Sequence, residues 1–151
     1  MSGKLPVSVL VIVHTPALDV LLLERAARPG YWQSVTGSLD REDELLEHAA
    51  LRELREETGV DAPPVSLRRW NVAYTFEIYA QWRHRFAAGT THNLEHAFSV
   101  ELPAPRRVEL AAQEHAAYRW LPWRDALEQC FSWSNRDAIR MLPERRSPAA
   151  S

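Results

Sequence analysis

Apolar positions recur along this chain in three rhythms, and each predicts a different kind of element. Unbroken β-branched and apolar runs at residues 6–13 and 20–23, separated by the turn-prone Thr15-Pro16-Ala17-Leu18-Asp19, read as buried strands. Strict alternation over residues 65–80 places Trp70, Val72, Tyr74, Phe76 and Ile78 on one phase, with Glu77 and Tyr79 on the other, and predicts one long strand. Shorter strands are expected at residues 31–35, after the Arg28-Pro29-Gly30 turn, at 95–102, ended by Pro103 and Pro105, and at 118–121. The helical rhythm is strongest over residues 44–58, which lack Pro and Gly and stop at Gly59. Two shorter helices are expected at 123–131 and 135–142, followed by a polar, disordered tail at 143–151. Strands on both sides of one strong helix, with helices at the end, predict a single α/β (α+β) domain over residues 1–142. Its architecture would be a sandwich of helix, mixed β-sheet and helix.

The helix at 44–58 carries charge where a structural helix would not. At roughly 100° per residue, Glu53 and Glu57 fall in line with Leu46 and Ala50, Glu56 lies beside them, and His48, Arg52 and Arg55 take the opposite side. Carboxylates turned toward a core lose hydration and repel one another, and a divalent cation resolves both costs. Oxygen ligands without cysteine select a hard ion, Mg²⁺ or Mn²⁺, which leaves coordination positions for substrate phosphates. The simpler alternative is an acidic, solvated helix end with Arg52 and Arg55 as surface partners.

Composition narrows the partners. A net charge of −2 gives no bulk attraction for a nucleic-acid polymer or an anionic membrane, so an anionic substrate must be held locally by a metal and by individual Arg or Lys residues. The lone Cys130 excludes an intrachain disulfide, and no leader or apolar run of membrane-spanning length is visible, so a cytoplasmic protein is expected. Nothing in the sequence specifies an oligomeric state.

The run Arg52-Glu53-Leu54-Arg55-Glu56-Glu57-Thr58-Gly59-Val60, preceded by Glu44 and Gly37, resembles the signature of the Nudix hydrolases. Six residues rather than five separate Gly37 from Glu44, which lengthens the loop and leaves the carboxylate register intact. Further runs resemble a narrower group, the dihydroneopterin triphosphate pyrophosphatases of folate synthesis. These include Lys4-Leu5-Pro6-Val7-Ser8, Tyr31-Trp32-Gln33-Ser34-Val35-Thr36-Gly37-Ser38, Phe76-Glu77-Ile78-Tyr79, Arg83-His84-Arg85, Glu114-His115, and Ser132-Trp133-Ser134-Asn135-Arg136. The resemblance implies Mg²⁺-dependent hydrolysis of a small-molecule triphosphate. It also implies Glu53, Glu56, Glu57 and Glu114 as metal ligands, and Lys4, Arg25, Thr36, Phe76, Glu77, Ile78, Tyr79 and Ser132 as substrate contacts. The general base is one of Glu53, Glu56 and Glu57. A carboxylate such as Glu77 would suit the N–H edge of a pterin.

The sequence admits three other readings. His92-Asn93-Leu94-Glu95-His96 fits the H-x-x-E-H zinc pattern, but it runs into a strand-like segment on which residues four apart stand about 13 Å apart, too far for one ion. A non-catalytic binding module is disfavoured by the retained carboxylates. The substantive alternative is a Nudix hydrolase for ordinary or oxidised nucleoside triphosphates.

Overall fold

The computed structural model describes residues 3–145. Its strands are β1 (Val7–His14), β2 (Asp19–Arg25), β3 (Trp32–Gln33), β4 (Val35–Ser38), β5 (Leu67–Glu77), β6 (His92–Glu101) and β7 (His115–Pro122). The helices are α1 (Leu46–Thr58), α2 (Trp123–Gln129) and α3 (Trp133–Arg145), with short 3₁₀ segments at Pro64–Ser66 and Ala80–Arg85. The order β3-β2-β1-β6-β5, with β1 and β6 parallel and the other pairs antiparallel, makes the expected mixed sheet.

β1 is apolar at every position from Val9 to Val13 because both of its faces are covered. Val9, Val11 and Val13 join Phe98 and Val100 beneath Ala49, Ala50 and Leu54 of α1. Leu10 and Ile12 face the other way, with Trp70, Tyr74 and Ala97, against Ala126, Ala138, Ile139 and Leu142. The helix, sheet, helix sandwich is therefore two cores sharing one sheet.

The site depends on a wedge in that sheet. β1 and β2 meet at the single pair His14↔Val20 and then diverge. The chain from Trp32 to Ser38 fills the gap: β3 pairs with β2, and β4 pairs with β1 from Val11↔Val35 to Ser8↔Ser38. Where a single strand at 31–35 was expected, the segment changes partners at Ser34. Asn135 of α3 pins that crossing, accepting from the Ser34 N–H at 2.7 Å and donating to Ser34 Oγ at 3.0 Å.

Several other boundaries differ from expectation. α1 begins at Leu46, because the Glu44 side chain turns inward to Arg52 rather than extending the helix. The alternating strand covers Leu67–Glu77 instead of 65–80, and a register shift between Arg69 and Ala73 centres on Asn71, whose φ of 57° suits asparagine. β7 starts earlier, at His115. α3 continues through Pro143 to Arg145, which corrects the expected tail boundary; residues 146–151 lie outside the described residues.

Candidate active site

Glu53 and Glu57 lie one turn apart near the C-terminal end of α1. Gly59 closes the helix in the left-handed conformation, with its N–H bonded to Arg55 O at 2.8 Å. Glu57 is 1% exposed, and neither carboxylate oxygen has a hydrogen-bond partner among the described residues. Burial first, then Glu53, raises its proton affinity well above the usual carboxylate range. Burial raises Glu53 as well, opposed by Arg52, whose Nη1 donates to Glu53 Oε1 at 2.8 Å. His115 Nε2 stands 3.6 Å from Glu57 Oε1, but burial and Arg25 lower the imidazole to about 4, so it is neutral near pH 7 and brings no countercharge.

Periodicity puts Arg52 on the side of α1 opposite the apolar stripe, and the alternative reading makes it a surface partner, which the structure corrects. It is buried and donates to Glu44 from Nε at 2.9 Å and Nη2 at 3.1 Å, to Ser38 O at 3.1 Å, and to Glu53. Its side chain ties the loop, the strand and the helix together. Above it, Gly37 of β4 leaves the space that Glu53 fills, since a Cβ there would fall on the Glu53 carboxylate.

Glu56 has a half-exposed side chain, pairs with Arg52 at 3.3 Å, and stands outside the cavity lining. Glu114 precedes β7 and lines the cavity; its carbonyl accepts from Ala26 N–H at 2.9 Å, and its charge bears on Glu57. Among the described residues no three His, Cys, Asp or Glu side chains are gathered at metal-ligand spacing. The donor set nevertheless fits a hard divalent cation: two buried, unpartnered oxygens on Glu57, with Glu53 beside them and the Glu114 charge facing them.

One open cavity of about 1010 Å³ runs from these carboxylates across the end of the sheet. Lys4 and Arg25, on which the carboxylate charges bear, line it together with Arg85. Burial, then Arg85, lowers the proton affinity of both Lys4 and Arg25, so these cations crowd one another. Lys4 lies 5.7 Å from the Phe86 ring centre, and Arg25 lies 4.7 Å from that of Trp82 while donating to Gln33 at 3.3 Å. Thr36 lines the cavity and donates to Val9 O at 2.9 Å. Phe76, Ile78 and Tyr79 are wall residues, and Tyr79 packs on Trp82 with ring centres 5.2 Å apart. Glu77 is exposed and pairs with Arg83 at 2.9 Å. Ser132 reaches the cavity and also caps α3, accepting from Asn135 N–H at 3.2 Å.

Arg85, His115, Ser134, Asn135 and Glu95 also line the cavity, although the sequence assigns none of them a metal or substrate role. Glu95 shares its strand face with Asn93, Ala97, Ser99 and Glu101, so the local pattern does not mark it as buried. It sat within the H-x-x-E-H run, which lies on β6 as anticipated, with Glu95 facing opposite to His92 and His96.

The NUDIX domain model matches residues 4–142. The dihydroneopterin triphosphate diphosphatase of Escherichia coli K12 is 42% identical over 142 residues, covering 92% of this chain and 93% of that protein. The enzyme of the same name from Haemophilus influenzae is 35% identical, covering 93% of this chain and 89% of its own. The solved structure of the E. coli dihydroneopterin triphosphate pyrophosphohydrolase superposes with a TM-score of 0.87 at 39% identity, over 94% of this chain and 97% of that one. A divalent-metal requirement is general among such enzymes. Among the described residues no helix is long and apolar enough to cross a membrane. With the signature helix, the buried carboxylates and the mixed-sheet sandwich all in place, the chain belongs to the Nudix hydrolase family and is a pyrophosphohydrolase.

Proposed function

We propose that this chain hydrolyses dihydroneopterin triphosphate to the monophosphate and pyrophosphate, with Mg²⁺, or Mn²⁺ in its place, held by Glu53, Glu57 and Glu114 and assisted by Glu56. The observation that carries this is a single cavity joining two sets of groups, carboxylates crowded on one another and cations crowded on one another, to a buried polar floor with aromatic walls. A polyphosphate with a bound cation relieves both repulsions together. The full-length similarity to enzymes named for dihydroneopterin triphosphate supports the choice of substrate.

The cation, when bound, supplies Lewis-acid neutralisation of phosphate oxygens. Arg25 and Lys4 hold further phosphate oxygens, and a phosphate between them relieves the crowding with Arg85 that lowers the proton affinity of both. Water adds at phosphorus as the anhydride P–O bond breaks and pyrophosphate leaves. The proton released by that water goes to one carboxylate among Glu53, Glu56 and Glu57. Phe76, Ile78 and Tyr79 cover the ring, and Ser132 fixes the start of α3 beside it. The site faces a soluble small molecule rather than a nucleic-acid polymer or a membrane, and we place the enzyme in the cytoplasm, where the buried Cys130 thiol stays reduced.

The test is comparative, because every nucleoside triphosphate presents the same three phosphates. kcat/KM should be at least about tenfold higher for dihydroneopterin triphosphate than for dATP, GTP or an oxidised guanine nucleotide at equal Mg²⁺, with pyrophosphate as the leaving product. Preference for a nucleotide, or release of single phosphates, moves the chain to the nucleoside triphosphate alternative.

A further inference from the structure

Glu95 is an expensive residue to place where it is. It lies on β6, on the sheet face opposite α1, in the row Tyr74↔Glu95 and Ser8↔Glu95, and it is 6% exposed at the floor of the cavity. Its Oε1 accepts from Ser134 Oγ at 3.0 Å, and its Oε2 receives only a long 3.4 Å contact from Thr36 Oγ1. An ionised carboxylate offers about four acceptor positions, so roughly half remain unspent in a desolvated place. No cation pairs with it among the described residues: the salt bridges of neighbouring strands involve other carboxylates, and Glu77 is committed to Arg83. Burial accordingly lifts its proton affinity to about 7. A glutamine would serve Ser134 and Thr36 equally well without this cost, so packing alone does not account for the residue.

Its surroundings indicate what would satisfy it. Leu10, Phe76, Ile78 and Trp133 line the same cavity as apolar and aromatic walls, and Asn93 and Ser8 border the floor, joined by a 2.8 Å hydrogen bond. Thr36 belongs to β4, as does Gly37 on the other side of that strand, which leaves room for Glu53. The two carboxylate centres thus flank one short strand, Glu53 and Glu57 on one side and Glu95 on the other. A flat ring lying against the aromatic walls would present its edge to Glu95 while its phosphates lay over α1.

Resting on the proposed pyrophosphohydrolase function, we propose that Glu95 is the specificity-determining residue of this site, accepting two N–H donors from an aminopyrimidinone edge. That edge, a ring N–H beside an exocyclic amine, matches a carboxylate in a paired arrangement. Pterin and guanine both carry it. Adenine presents one donor and one acceptor, so its acceptor would face an oxygen and leave the buried carboxylate unsatisfied.

The experiment is to measure kcat/KM for dihydroneopterin triphosphate, GTP and ATP with wild type, Glu95→Gln and Glu95→Asp, with thermal melts to verify folding. In parallel, binding of 7,8-dihydroneopterin, which has no phosphates, is followed by fluorescence. In Glu95→Gln, both the dihydroneopterin triphosphate to ATP ratio and the GTP to ATP ratio should fall by about tenfold or more, and dihydroneopterin binding should weaken by a similar factor. Glu95→Asp, which keeps the charge but shortens its reach, should fall between the two. Ratios and ring binding within about twofold of wild type in a folded variant would overturn the proposal, as would a wild type that does not favour GTP over ATP. If instead wild type favours GTP over dihydroneopterin triphosphate, the substrate assignment fails while the GTP to ATP ratio still tests Glu95. Should Glu95→Gln not fold, Glu95→Asp and wild-type ring binding decide the outcome.

Discussion

Arg52 shows how much a single side chain can decide. Its guanidinium is shared between Glu44, which is closed to solvent, and Glu53, which must be free to face the cavity. The Arg52 hydrogen bonds hold the Glu44 carboxyl at about 2, against an ordinary 4.5. That shift corresponds to about 3 kcal/mol at 1.36 kcal/mol for each unit. Because the folded-state value is depressed, the unfolded chain binds the extra proton. This stability is present above pH 4.5 and is lost as the pH falls toward 2. Arg52→Met should therefore lower stability at pH 7 by about 3 to 5 kcal/mol, since it strands a buried charge. It should also flatten the dependence of the urea midpoint between pH 4.5 and 2. Equal midpoints for the two proteins across that range would remove Arg52 as the anchor of the loop.

At the scale of elements, the site is a matter of one strand meeting one helix. α1 carries Glu53 toward β4 at the position where the strand has no side chain, so the close approach is specified by Gly37 rather than by any attraction. Gly37→Ala should force the Glu53 carboxylate to turn away from Glu57. A displacement of this size should reduce kcat by about a hundredfold, while overpacking costs about 1 to 3 kcal/mol. Turnover and melting temperature measured together check this, and activity within about threefold of wild type would contradict it. The six-residue spacer between Gly37 and Glu44 is absorbed ahead of the helix, where Glu44 accepts from Asp40 N–H at 2.8 Å.

At the scale of the whole molecule, the fold stores repulsion that a ligand releases. Glu57 is reached by the Glu53 charge from its own helix and by the Glu114 charge from the far end of the sequence, with no countercharge at hydrogen-bond distance. A binder of the folded state alone, at a hundred times its Kd, adds about 2.7 kcal/mol. Mg²⁺ should accordingly raise the melting temperature of wild type by roughly 5 to 10 °C. Glu57→Gln should melt higher than wild type without metal, and its Mg²⁺ shift should shrink to about 2 °C or less. An undiminished shift in that variant would place the ion elsewhere, and undiminished hydrolysis in the presence of chelator would remove the metal from the mechanism.

The sequence alone determined what local periodicity and charge can carry. The unbroken apolar run of β1 could be satisfied only by burial on two faces, and the alternation from Trp70 to Ile78 survived a bulge at Asn71 because the inward residues kept their phase. The spacing of Glu53 and Glu57 on a helix closed by Gly59 placed them in register before any tertiary contact was known. Tertiary structure decided which charges are buried. Arg52 lies on the helix side opposite the core stripe by periodicity, yet it is enclosed because the Asp40 to Glu44 loop folds over it. Ser34 breaks a strand that reads as continuous, because β1 and β2 diverge there and Asn135, 101 residues away, supplies the missing hydrogen bonds. Glu95 lay in view within a run that suggests zinc, and only the pairing of β6 with β1 and β5, under Ser134 of α3, turns it into the buried floor of the cavity. Periodicity reports which way a side chain points from its own element. What waits there depends on contacts between residues distant in sequence, which no local pattern encodes.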